Sequence, residues 1–340
     1  MNSAIESRLS SRAMQPAMPV PSRTTVARPR ALSLLAFAAL LAAFCAALAA
    51  PALAVCNAPV LFEQGVSLPV GAGANRVVPA NLNQDGILDL VATTPGSDSV
   101  SVMLGIGNGT FTQAVNYRVG DQPEGLAVAD FDGDAIADLA VTNWGSGTVS
   151  ILHGSGTGTF SAPLNYYANP APYGVIAVDV SQDGILDLVV ANNSVAQISV
   201  MIGFGSGGIG NGAFSAPVSY PIAGLGIAVA SGDFNSDGKV DLVATANFNG
   251  ISVLLGNGNG TFQPSVGYAS GAQATFIVVR DFNIDGIQDL AVSNTNFGGL
   301  ATLRGIGNGT FAAPTIYLHG LNLVAIARAV STLWPRPASV

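Results

Sequence analysis

Three features of the sequence together predict an all-β chain folded as a β-propeller of four-stranded blades. A glycine-rich GTF-like signal places Phe62, Phe111, Phe160, Phe214, Phe262 and Phe311 at spacings of 49, 49, 54, 48 and 49 residues. Between those marks, short runs of Val, Ile, Leu and Ala alternate with Asp/Gly and Gly/Asn/Thr turns, the pattern of short strands. Across 340 residues there are 41 Gly and 19 Pro, and 49% of the chain is hydrophobic, which suits many brief strands and opposes long helices.

One period shows how a blade is assembled. From Gly125 to Tyr167 the chain reads GLAVAD, FDGDAIAD, LAVTNW, GTVSILHG, SGTGTF and SAPLNYY. This predicts four strands, A to D, of four to six residues each. Four short antiparallel strands every 40 to 50 residues, with no helical pattern between them, mark a propeller blade. The count predicts about five complete repeats plus partial ones. The stretch from Leu61 to Leu68 reads as an outer D strand that precedes the first blade.

The two ends depart from the repeat. Residues 1–30 carry Arg8, Arg12, Arg23, Arg28 and Arg30 against one acid, Glu6, and an apolar run follows at 31–50. The small-residue site Ala52-Leu53-Ala54 then offers cleavage before Val55, so 1–54 reads as a secretory signal with a long basic region. The apolar run is also long enough to span a bilayer if it is not removed. Cys56 follows an approximate lipidation box, and Cys45 would leave with the signal. At the other end, 329–340 is an atypical tail. NLVAIARAV begins like strand A, but Ala329 and Val330 stand where a sixth acidic loop is due. This suggests truncation from a seven-bladed form, or a frame change near residue 327. The propeller is thus expected over 55–328.

Only 9% of residues are charged, which excludes a charge-rich disordered chain and a binder driven by phosphate neutralisation, so no nucleic-acid partner is expected. The acids are concentrated. Between strands A and B lie NLNQDGILD (81–89), DFDGDAIAD (130–138), DVSQDGILD (179–187), DFNSDGKVD (233–241) and DFNIDGIQD (281–289), which hold fifteen of the 20 acids. Oxygen donors at loop positions 1, 3, 5 and 9 plus a backbone carbonyl at 7 suit a hard cation of Ca²⁺ size. Without one, the crowded carboxylates would repel each other. An EF-hand is excluded, because position 12 is Ala92, Val141, Val190, Ala244 or Val292 instead of Glu and the flanks read as strands.

With the Dx[DN]xDGxxD loops and the downstream GNGTFxxP signal, as in GNGNGTFQP at 256–264, the chain resembles the FG-GAP/VCBS repeat family, relatives of the integrin α-subunit propeller. The resemblance covers about 56–318. It implies up to five Ca²⁺ sites in A–B hairpins and an extracellular adhesion, recognition or scaffold role. Transferred loop by loop, the ligands are Asn81, Asn83, Asp85, Ile87 and Asp89; Asp130, Asp132, Asp134, Ile136 and Asp138; Asp179, Ser181, Asp183, Ile185 and Asp187; Asp233, Asn235, Asp237, Lys239 and Asp241; and Asp281, Asn283, Asp285, Ile287 and Asp289. Position 7 of each set acts through its carbonyl. The fourth and fifth loops follow the family pattern. Ser181 weakens the third, Ala135 replaces the usual Gly in the second, and the first has only two carboxylates, so it should bind most weakly.

Other chemistry is sparse. The GIGNG and GNGNG runs recur in phase with the blades and no βαβ unit follows them, so they read as C–D turns and not as nucleotide loops. His153 and His319 have no nucleophile or orienting acid placed beside them by sequence, so no catalytic residue and no organic cofactor is expected. The in-phase Tyr117, Tyr166, Tyr220, Tyr268 and Tyr317 read as packing between blades. Trp144, Phe248 and Phe297 fall in B–C turns, and Tyr167 and Tyr173 in a D–A connection. These five form a candidate ligand face opposite the calcium loops, or else pack locally in their turns.

The expectation is therefore an exported calcium-binding propeller, secreted or in a bacterial cell envelope, that binds an extracellular protein or glycan. It would meet a membrane only through an uncleaved signal or a lipidated Cys56. The alternative is a secreted propeller-fold hydrolase or lyase with its site on the face opposite the calcium loops.

Overall fold

A computed structural model describes residues 67–296 and 298–317. The signal at 1–54, Cys56, most of the outer strand near Leu61, Phe297, His319 and the tail at 329–340 lie outside the described residues.

Five four-stranded antiparallel sheets follow one another along the chain. Blade one is β1 (Val77–Ala80), β2 (Asp89–Thr94), β3 (Ser99–Met103) and β4 (Val115–Arg118). Blade two is β5 (Pro123–Ala129), β6 (Asp138–Asn143), β7 (Thr148–Leu152) and β8 (Leu164–Tyr167). Blade three comprises β9 (Pro172–Val178), β10 (Asp187–Asn192), β11 (Gln197–Met201) and β14 (Val218–Pro221), interrupted by a hairpin of β12 (Gly203–Ser206) and β13 (Ile209–Phe214). Blade four is β15 (Val229–Gly232), β16 (Asp241–Thr245), β17 (Ile251–Leu254) and β18 (Val266–Tyr268). Blade five is β19 (Gln273–Arg280), β20 (Asp289–Thr295), β21 (Gly299–Leu303) and β22 (Thr315–Tyr317). Tyr167 and Tyr173 are thus strand residues, at the end of β8 and near the start of β9. The connection between them is only 168–171, because both strands extend further than their apolar pattern suggested.

The hairpin in blade three accounts for the 54-residue spacing. Ser206 and Ile209 close it around Gly207 and Gly208, both at positive φ, 62° and 80°. A two-residue Gly-Gly loop with φ > 0 at both positions matches the twist of a tight β-hairpin.

Each first strand touches the first strand of the next blade, from β1 to β5 and on through β9, β15 and β19. The second and third strands are buried on both faces. β6 and β10 are buried along their whole length, which explains why they read as near-continuous apolar runs. The core lies between blades: Val91, Val100 and Val102 of blade one pack with Leu126, Leu139 and Val141 of blade two.

A chain of aromatic pairs crosses these interfaces. Tyr117 meets Phe160, Tyr166 meets Phe214, Tyr220 meets Phe262 and Tyr268 meets Phe311, all edge-to-face with centroids 5.3 to 5.8 Å apart. In every pair the tyrosine closes one blade and the phenylalanine belongs to the next. At the end of the series the pattern opens: Phe282 is 43% exposed and Tyr317 50%, whereas the equivalent Phe234 of blade four is 1% exposed.

Candidate functional site

The A–B loops are set by register. Ala80 pairs with Asp89, Ala129 with Asp138, Val178 with Asp187, Gly232 with Asp241 and Arg280 with Asp289. In each case the ninth loop residue is the first residue of the second strand. That aspartate is buried in all five blades. Its Oδ2 accepts the N–H of loop position 2, at 2.7 Å from Leu82, 2.9 Å from Phe131, 2.9 Å from Val180, 2.8 Å from Phe234 and 3.0 Å from Phe282. Its Oδ1 accepts the N–H that opens the C–D turn, at 2.7 to 2.8 Å from Gly105, Gly154, Gly203, Gly256 and Gly305. One buried carboxylate thus ties two turns of its blade together, and such charge-assisted bonds are the strong kind.

The remaining acids organise the loop itself. At position 5, Oδ1 of Asp85, Asp134, Asp183, Asp237 and Asp285 accepts the N–H two residues later at 2.7 to 2.9 Å. At position 1, Asp130, Asp179, Asp233 and Asp281 accept N–H groups from positions 4 to 6. At position 3, the amide oxygens of Asn83, Asn235 and Asn283 accept the N–H of position 5 at 3.0 to 3.2 Å. Positions 4 and 6 adopt left-handed backbone: Gln84, Gly133, Gln182, Ser236 and Ile284 at position 4, and Gly86, Ala135, Gly184, Gly238 and Gly286 at position 6. Ala135 at φ 65° and Ile284 at φ 62° hold that conformation with a Cβ, which disfavours it.

The donor chemistry suits a hard cation. Carboxylate oxygens of Asp130, Asp132 and Asp134 lie within 4.8 Å of one another, and each oxygen keeps a second lone pair after accepting one N–H. Burial, followed by the neighbouring Asp138 and Asp134 charges, pushes the Asp132 carboxyl above its ordinary range. Burial does the same at Asp187 and Asp241. Such groups gain when a cation neutralises them. In blade four the Lys239 ammonium stands 3.3 Å from Asp237, so an internal cation already occupies part of that loop's field. The sequence pattern of the fourth loop gave no sign of this competition.

Four of the five candidate ligand-face residues lie among the described residues. Trp144 is 40% exposed, Tyr167 59% and Phe248 68%, while Phe297 lies outside the described residues. Among the described residues, no ring contact joins Trp144, Tyr167, Tyr173 and Phe248. Phe248 borders a cavity of about 460 Å³, lined also by Asn249, Tyr268, Ser270 and Ala272. The Tyr173 hydroxyl hydrogen-bonds the Glu124 carboxyl, which also accepts the Asn75 amide, and the Arg76 guanidinium lies 5.6 Å over the Phe276 ring.

Asn75, Glu124, Tyr173 and Thr275 each stand six residues before their A–B loop, so the repeat register places this polar group at the inner-strand entrances. Burial raises the Glu124 pKa against the hydrogen bonds from Asn75 and Tyr173. Sequence reasoning did not single out these residues; the available signal is that the residue six places before the acidic loop differs in all five blades, as Asn75, Glu124, Tyr173, Ile227 and Thr275.

A protein-family comparison matches an FG-GAP-like repeat at residues 81–141, 130–190, 182–244 and 233–292. The chain belongs to the FG-GAP repeat family. A comparison with curated proteins found no match. Among solved structures, this FG-GAP chain is similar to a functionally unknown protein from Desulfotomaculum acetoxidans, with TM-score 0.54 and 12% identity, covering 75% of this chain and 73% of that one. It is also similar to BBS1N, solved in complex with ARL6DN, with TM-score 0.50 and 17% identity over 72% and 69% of the two chains. A third similarity is to an Agrocybe aegerita lectin recognising non-reducing terminal N-acetylglucosamine, with TM-score 0.47 and 19% identity over 72% of this chain and 66% of the lectin. At these identities the first two likenesses show the fold alone, a β-propeller of four-stranded blades, and nothing about ligand or activity.

Proposed function

We propose that this FG-GAP propeller is exported and calcium-binding, and that it works as an adhesion or recognition module for an extracellular protein or glycan, without turnover. One observation carries the reading: five loops in phase all present carboxylates at positions 5 and 9, and in each the buried ninth aspartate is bonded to both turns of its blade. A cation held by the loop residues would neutralise the cluster and stiffen the A–B hairpin. Its binding energy would then appear as folding energy, about 2.7 kcal/mol per site at a hundredfold excess over Kd.

The direct test is thermal unfolding with Ca²⁺ and with excess chelator. A transition that rises with Ca²⁺ supports the reading, and an unchanged one overturns it. Export is supported by the Arg-rich start and the apolar run at 31–50. It is tested by N-terminal sequencing of protein recovered outside the cytoplasm, where Val55 as first residue is expected. Recognition is tested by a calcium-dependent glycan and protein binding screen repeated with Trp144→Ala.

A further inference from the structure

The residue that follows the third strand packs against the next blade in a repeating way. It is Leu104 in blade one, Ile202 in blade three and Leu255 in blade four, facing Gly158, Gly260 and Gly309 respectively. In blade two it is His153, which faces Gly212 of β13 so closely that a Cβ there would overlap the imidazole. A polar ring thus occupies a position that its neighbours fill with apolar side chains.

Its Nδ1 is fully buried and has no hydrogen-bond partner. That nitrogen lies 3.2 Å from Asp132 Oδ2 and 3.5 Å from Asp138 Oδ2, and the three donor atoms lie within 4.8 Å of one another. Ligands at about 2.0–2.1 Å in a tetrahedron sit roughly 3.3 Å apart, close to the two distances from the imidazole nitrogen to the carboxylates. Imidazole nitrogen selects zinc-like ions, whereas the oxygen-only loops suit calcium. A cavity of about 360 Å³ is lined by Asp130, Phe131 and Gly133 of the same loop.

We propose that His153, Asp132 and Asp138 form a site for a divalent transition ion of the zinc and cobalt class, distinct in selectivity from the other four loops. Water or Asp130 completes the coordination. The site rests on the acidic-loop reading only in sharing Asp132 and Asp138, and it does not require that the other loops bind calcium.

The test is a Co²⁺ titration of chelator-stripped full-length protein followed by visible absorption, then Zn²⁺ displacement, with Ca²⁺ titrated separately by calorimetry. The expected result is one Co²⁺ equivalent with a nitrogen-containing ligand-field spectrum, displaced by Zn²⁺. His153→Leu should weaken Co²⁺ at least tenfold and change Ca²⁺ binding less than twofold. Leucine fills this position in blades one and four, and His153→Gln serves as a second variant of similar polarity. Equal Co²⁺ affinity or an unchanged spectrum in both variants overturns the proposal and leaves a plain histidine–carboxylate pair. Absence of Ca²⁺ binding by the unaltered protein, with the Co²⁺ signal intact, would count against the calcium reading and not against this one.

Discussion

The ring of Tyr220, at the close of blade three, stands edge-on to Phe262 of blade four, with centroids 5.3 Å apart and planes at 84°. Phe262 is 8% exposed, so the pair is a buried joint between two sheets that share no strand-to-strand hydrogen bonds. Phe262→Ala should cost about 3–5 kcal/mol. A double-mutant cycle with Tyr220→Ala, read by urea unfolding, should give a coupling of about 0.5–1.5 kcal/mol. Strict additivity would show that the two rings are neighbours without being partners.

The buried ninth aspartate makes a second prediction. Asp241 accepts N–H groups from Phe234 and Gly256 at 2.8 and 2.7 Å. In Asp241→Asn one of those donors would face an NH₂ group, so stability should fall by about 2 kcal/mol, the cost of a lost charge-assisted bond with a stranded donor. A loss confined to Ca²⁺ conditions would instead assign this residue to the ion alone.

Ala135 and Ile284 hold left-handed backbone at φ 65° and 62°, and Ile284 is 91% exposed. Replacing either with Gly relieves a steric cost of about 1–2 kcal/mol, partly offset by the greater freedom of glycine when unfolded. A rise in transition temperature is expected for both variants, with Ile284→Gly benefiting more because a β-branched side chain fits that region worst. A fall for Ile284→Gly would show that its exposed side chain makes a stabilising contact.

Glu124 predicts a pH dependence. Burial raises its pKa above the ordinary glutamate value, so the folded state holds its proton more tightly than the unfolded chain does. The carboxyl therefore contributes most favourably below the unfolded pKa, and that contribution is lost as pH rises through the folded value. Glu124→Gln can still accept the Asn75 amide and removes the titration. Its transition temperature should fall less than that of the wild type as pH rises above the ordinary glutamate value. Parallel pH profiles would count against the shift.

Much of this architecture was legible in the residues. The 49-residue period, the strand alternation and the five acidic nonapeptides located the blades and their A–B hairpins, because strand periodicity and turn chemistry are local properties. The inter-blade role of Tyr117, Tyr166, Tyr220 and Tyr268 was legible too, although their phenylalanine partners in the following blade were not, and Tyr317, read in the same phase, is 50% exposed. The inserted hairpin showed only as a spacing of 54 in place of 49. The pairing of the Tyr173 hydroxyl with Glu124, 49 residues earlier in the chain, was not legible, because it joins two blades.

By itself the sequence determined the repeat, the strand order within a blade and the positions of the carboxylates, since each depends on neighbours within a few residues. Only the tertiary structure decided which groups from different blades meet. It set Arg76 over Phe276, and packed His153 of blade two against Gly212 of blade three with its buried nitrogen facing Asp132 and Asp138. Those contacts depend on how far one sheet is rotated against the next, and that rotation is set by packing between blades, which no local pattern encodes.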